Sequence, residues 1–138
     1  MGLFDRLTGS REVTLNSKSA ILLACITMVA ADGDLDDDEL AIIRRIDGTA
    51  NTSAWEAAVG VWKRHSLNEC ADFACNFVDP AHKNALLANL IDIAMADGSL
   101  AGAEKRLLEN YVEKLQIGAD VVSAMVDVIG LKNAVRTI

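Results

Sequence analysis

The sequence predicts an all-α fold, a single-domain bundle of about seven helices with an internal pseudo-twofold repeat. Three observations predict it. Apolar residues recur at helical spacing from residue 18 onward, and no stretch alternates long enough to suggest a sheet. Start and stop signals cut that pattern into short helices, with Ser or Asp at the starts and Asp-Gly or Gly at the ends. Shifting the chain by 65 residues superimposes Lys18 on Lys83, Ala20 on Ala85, Leu22 on Leu87 and Ile26 on Ile91. The match continues through Ala31, Asp32, Gly33, Leu35 and Glu39 onto Ala96, Asp97, Gly98, Leu100 and Glu104.

Taken in order, residues 1–16 read as a loose N-terminal segment. Leu3, Phe4 and Leu7 make one weakly apolar turn, which is either a frayed end or a docking contact. Ser17 is a suitable N-cap for a first helix over about 18–31. Ile21, Leu22, Leu23, Cys25, Ile26, Met28 and Val29 cover most of its circumference, so it belongs in the centre of the bundle. Asp32-Gly33 ends it, since Gly33 can take the left-handed C′ conformation. A second helix starts near Asp36, with Glu39 at the N3 spacing and Leu40, Ile43 and Ile46 inward, and stops at Asp47-Gly48.

Ser53 and Glu56 have the spacing of a capping box for a third helix that places Trp55, Val59 and Trp62 on one face. Ser66 and Glu69 repeat the box for a fourth, with Leu67, Cys70, Ala71, Ala74 and Val78 inward. Asp79-Pro80 joins an N-cap to a first-turn proline and opens a fifth, central helix to about Ala96. A sixth, over 101–115, buries Leu107, Leu108, Tyr111 and Leu115. Gly118 separates it from a seventh, over 119–129, which buries Val121, Val122, Met125 and Val128 and ends at Gly130. The helical domain thus spans 17–130, followed by a short basic tail over 131–138.

Composition narrows the function classes. With 51% hydrophobic and 24% charged residues the chain is an ordinary globular protein rather than a disordered one. Twenty acidic residues against thirteen basic ones leave a net charge of −7, which disfavours nucleic acid and favours cations or a basic protein patch. Cys25, Cys70 and Cys75 have no disulfide-framework spacing and read as free thiols of a reducing cytoplasm. The longest uncharged apolar run, Ala20–Ala31, is too short to span a bilayer, so no direct membrane span is expected.

Charge concentrates in one place. Residues 32–39 hold six of the twenty carboxylates, and the pattern Ala-Asp-Gly-x-Leu-x-x-x-Glu recurs at Ala31–Glu39 and Ala96–Glu104. Asp32, Asp34 and Asp36 match the first three ligand positions of an EF-hand loop. Asp37 stands where that loop needs glycine, however, and Ile43 where it needs its final glutamate. The second copy has Ser99, Ala101 and Leu108 at ligand positions, so neither copy is an EF-hand.

A looser oxygen site is compatible with both copies. An aspartate in the turn and a glutamate in the next helix's first turn can converge on a hard cation such as Ca²⁺, Mg²⁺ or Mn²⁺. The candidate ligands are Asp32, Asp34, Glu39, Asp97 and Glu104. The competing reading is helix capping, because acids in a first turn favour the helix dipole by ~0.3–1 kcal/mol each. Asp92, five residues before Asp97, either supports that turn or is a solvent-facing or locally hydrogen-bonded aspartate. His65, Cys70, Cys75 and His82 lack zinc-site spacing. No phosphate loop, nucleophile elbow or triad supports an enzyme, and paired aspartates alone do not make a hydrolase.

On this repeated motif, residues 17–130 resemble the TerB family of tellurite resistance proteins. The resemblance rests on Asp32, Gly33, Glu39, Asp97, Gly98 and Glu104, with Asp34 and Asp36–Asp38 as additional acids. It implies a compact seven-helix fold, a bacterial cytoplasmic setting and no established enzymatic activity. It also implies metal binding and association with other tellurite-resistance proteins, including a TerC-like membrane protein and TerD-type proteins. The alternative function is an acidic helical interaction scaffold that needs no metal.

Overall fold

The computed structural model of the chain describes residues 15–32, 52–95 and 102–134. All regular structure among them is helical, as expected. Helix α1 (Ser17–Val29) runs into a 3-10 turn at Ala30–Asp32 and is followed by α2 (Thr52–Arg64) and α3 (Leu67–Phe77). A 3-10 turn at Pro80–His82 leads into α4 (Lys83–Met95), and α5 (Gly102–Leu115) and α6 (Ala119–Ala134) complete the chain. The helix expected from Asp36, the Asp97-Gly98 break, Gly33 and most of the N-terminal segment lie outside the described residues. No helix among the described residues is long and apolar enough to cross a membrane.

Helix α1 is the axis of the bundle. Its sequence is apolar nearly all round, and Ser19, Ala20 and every residue from Leu22 to Met28 are buried. It packs against α2, α3 and α4, and along one edge against α5. Its N-cap is Asn16 rather than Ser17, with Asn16 Oδ1 accepting from the Ser19 N–H at 2.8 Å. Ser17 becomes the first helical residue, and its hydroxyl is used elsewhere. Ser17 Oγ accepts from the Asp79 N–H at 2.6 Å and lies 3.0 Å from His82 Nδ1. The start of α1 is thereby pinned to the start of α4, the helix that the 65-residue shift pairs with it. Helix α4 buries Leu86, Leu87, Leu90, Ile91 and Ala94, and packs on α1, α5 and α6.

Two capping expectations resolve differently. Ser66 and Glu69 form the full box: Ser66 Oγ accepts from the Glu69 N–H at 3.2 Å, and Glu69 Oε1 accepts from the Ser66 N–H at 2.9 Å. That backbone donor holds the Glu69 carboxyl below its usual range. Ser53, expected as the N-cap of a box with Glu56, is instead inside the helix, because α2 starts at Thr52. The stripe of α2 that meets α1 is Ala54, Ala58 and Val61, with Trp55, Val59 and Trp62 only half-buried beside it. Small side chains let two helix backbones approach, and the large indoles fill the flanks.

The C-terminus of α5 is closed by Gln116 in the left-handed conformation, at φ 56°. The Ile117 N–H bonds to Val112 O and the Gln116 N–H to Glu113 O, both at 3.2 Å, which is the Schellman pattern. Glycine was expected to punctuate at 118, but a β-carbon-bearing residue stands at the strained position. Left-handed backbone costs a non-glycine residue about 1 kcal/mol. Gln116→Gly is therefore expected to raise the unfolding free energy by roughly 0.5–1 kcal/mol, measured by urea denaturation. An unchanged or lower midpoint would mean that this turn carries no strain.

Helix α6 departs furthest from expectation. It runs through Gly130 to Ala134 instead of ending there, so the first residues of the expected tail are helical. Of the four residues expected inside, Val122 and Met125 are half-buried, whereas Val121 and Val128 are exposed. Ile129 is the one buried residue of the helix among the described residues. The physical reason is that, among the described residues, α6 leans mainly on α4. A single neighbour covers a narrow stripe, and apolar residues elsewhere on the circumference face solvent.

Candidate functional site

The described parts of the two motif copies, the Ala30–Asp32 turn and the first turn of α5, lie against each other. The Ala30 N–H closes α1 by bonding to Ile26 O and Met28 O, and the chain tightens into the Ala30–Asp32 turn. That turn packs on α5, the helix opened by the second copy. Ala31 and Ala103 line one cleft of about 320 Å³, together with Asn68, Arg106, Leu107 and Asn110. The residue before Asp32 and the residue before Glu104 thus share a wall.

Glu104 stands in the first turn of α5, is half-buried, and has a partner in the fold. Asp32 is described at its backbone only, as the last residue of the turn. Asp34, Glu39 and Asp97 lie outside the described residues. Among the described residues no three His, Cys, Asp or Glu side chains gather as a metal cluster. The amides of Asn68 and Asn110 add neutral oxygen donors to the cleft wall, whereas Arg106 brings a fixed positive charge.

What sets the register of this cleft is a buried polar pair. Thr27 Oγ1 donates to Ala24 O at 2.6 Å and accepts from the Tyr111 hydroxyl at 2.6 Å, with both side chains fully buried. Desolvation holds the Tyr111 phenol well above its ordinary value, and the Thr27 bond opposes the shift. One helical turn on from Thr27 is Ala31, and one and two turns before Tyr111 are Leu107 and Ala103. The bond therefore indexes α5 against α1 directly below the cleft. Sequence reading had placed Tyr111 in the core but had no signal for its partner.

Asp92 is hydrogen-bonded across the fold rather than locally, and the Asp97 turn that it was expected to support lies outside the described residues. Its Oδ2 accepts from Lys132 Nζ at 3.0 Å and its Oδ1 from Asn133 Nδ2 at 3.3 Å. It ties α4 to the last turn of α6, and this explains how that helix continues past Gly130. A second ion pair, Lys114 with Asp72, links α5 to α3.

The thiols and histidines have separate surroundings. Cys25 and Cys70 are buried in the core, and Cys75 is half-buried. The His65 ring meets Phe73 edge-on at 4.9 Å between centroids, and His82 sits by Ser17. Burial pushes the Cys25 thiol from an ordinary 9.0 up to about 12, and Cys70 and Cys75 up to about 11. Because the unfolded chain ionises first, the thiol contribution to stability is complete below about pH 9 and is lost as pH rises toward 12. Denaturation midpoints should fall across that alkaline window, and less steeply in Cys25→Ala. Equal slopes would mean that Cys25 ionises as freely in the fold as in the unfolded chain.

A larger concavity lies elsewhere. Helices α4, α5 and α6 enclose an open groove of about 740 Å³ with an almost wholly apolar surface. Leu87 and Ile91 from α4, Leu108 and Val112 from α5, and Val122 and Val126 from α6 form its walls. Lys105, Glu109 and Glu113 follow one another along its α5 edge. The one hint in the sequence was the distribution of apolar residues around all sides of α6, which a single neighbour cannot cover. Comparison of the chain with protein-family models, with curated proteins and with solved structures gives no match.

Proposed function

We propose that the chain is a non-enzymatic, TerB-like tellurite- and stress-resistance protein of the cytoplasm that binds divalent cations at its two Asp-Gly turns. In this reading the segment around 36–46 supplies a seventh helix and the bundle is a pseudo-twofold repeat. Asp32, Asp34, Glu39, Asp97 and Glu104 supply carboxylate oxygens to Ca²⁺, Mg²⁺ or Mn²⁺. The observation that carries the reading is the shared wall of the 320 Å³ cleft, where Ala31 of the first copy meets Ala103 of the second. The partners are other tellurite-resistance proteins, including a TerC-like membrane protein.

Titration with Ca²⁺, and with Mn²⁺ as a paramagnetic probe, tests it through amide NMR signals. The expected result is saturable shifts or broadening at residues 32–39 and 97–104, weakened in Glu104→Gln. Silence at both segments at millimolar metal would remove the cation site. A second reading, a metal-independent interaction scaffold, is favoured by the apolar groove on α4, α5 and α6. Salt-sensitive but chelator-insensitive partner capture would select it.

A further inference from the structure

We propose that the groove between α4, α5 and α6 docks an amphipathic helix of a partner protein whose apolar face is flanked by lysine or arginine. The proposal rests on the interaction reading, not on cation binding at the turns. Four observations carry it. The groove has a volume suited to several aliphatic side chains and is open, which fits a helix laid into it rather than an enclosed small molecule. Its walls are aliphatic, and Val126, 38% exposed, is covered by nothing among the described residues that would take it out of water.

Third, Glu109 and Glu113 stand one helical turn apart on the α5 edge, and neither is in an ion pair among the described residues. That spacing matches basic residues one turn apart on an incoming helix. Fourth, the same carboxylates argue against the other occupants. A fatty acyl chain would bring an anionic head group to two carboxylates and one lysine. A second copy of the chain has a net charge of −7, and its outward apolar helix, α6, carries Asp120 and Asp127. Apolar contact supplies the attraction and the α5 carboxylates select the sign of the partner.

The test uses the full chain and a peptide of about 18 residues, with leucines at i, i+3, i+4 and i+7 and lysines on the flanks. A matched peptide with glutamates on the flanks and dodecanoate are the comparators. NMR should show saturable Leu/Lys binding with shifts at Leu108, Val112, Val122 and Val126, unchanged by chelator. Glu109→Gln/Glu113→Gln should weaken it about five-fold, the worth of two exposed ion pairs, while Glu56→Gln on α2 leaves it unchanged. Val126→Lys, at a partly exposed position where folding is retained, should weaken it by at least about ten-fold by setting a like charge in an apolar wall.

Equal binding of the Leu/Glu peptide, or binding of dodecanoate alone, would overturn the proposed partner chemistry while leaving the groove as an interaction site. Concentration-dependent dimerisation with shifts in the groove would assign it to a second copy and overturn the proposal. Absence of groove shifts with every probe would overturn both the proposal and the interaction reading, with the cation titration still standing on its own result.

Discussion

Leu23→Ala is expected to lower the unfolding free energy by ~2–5 kcal/mol. Leu23 is wholly buried on α1, the helix that α2, α3 and α4 surround. Truncation removes the transfer free energy of the lost methyl and methine groups and leaves a cavity that three packed helices cannot collapse to fill. For a chain of this size the melting temperature should fall by roughly 10 °C. Leu131→Ala is the internal control. Leu131 is 75% exposed, so the same chemical change there should stay within about 0.5 kcal/mol. Thermal and urea melts of the two variants decide the matter, and a Leu23→Ala loss no larger than that of Leu131→Ala would mean that α1 is not the axis of the fold.

Thr27→Val should cost about 1–3 kcal/mol although it conserves shape and adds apolar surface. The reason is what it strands. The Tyr111 hydroxyl donates to Thr27 Oγ1 in a fully buried site, and valine leaves that hydroxyl without an acceptor. Tyr111→Phe should cost about 1 kcal/mol, because the Thr27 hydroxyl keeps its bond to Ala24 O. The double variant Thr27→Val/Tyr111→Phe should be markedly more stable than the sum of the single losses, since removing both partners leaves nothing stranded. Additive costs within about 0.5 kcal/mol would show that the two groups are not coupled. The same bond indexes Ala103 and Leu107 against Ala31, so Thr27→Val should also weaken any cation binding at the turns. A variant with altered stability but unaltered cation response would separate the core pair from the cleft.

The candidate site was legible in the sequence only as a pattern. The repeated Asp-Gly motif marks two expected turns, and the fold places Ala30–Asp32, where the first copy begins, against α5, whose first turn holds Glu104. The role of Arg106 in that cleft was not legible. It stands among alternating charges on an amphipathic helix, where nothing local distinguishes a solvated arginine from one lining a cavity. Asp92 shows the same limit. Its partners are Lys132 and Asn133, 40 and 41 residues away in the chain. The groove was missed because it depends on where three helices fail to meet.

Among the described residues, the sequence by itself determined the helices, most of their limits and the central place of α1. These follow from short-range physics: the 3.6-residue period, the Ser66–Glu69 capping box, Asp79-Pro80 at the approach to α4, and an apolar circumference that water cannot share. Only the tertiary structure decided which apolar faces are covered. It exposed Val121 and Val128 on α6, chose the alanine stripe of α2 over its tryptophans, put Gln116 in the left-handed turn, and joined Thr27 to Tyr111 across 84 residues. The physical reason is that a periodic pattern specifies that a face seeks burial, while the number and spacing of neighbouring helices specify whether the burial is supplied.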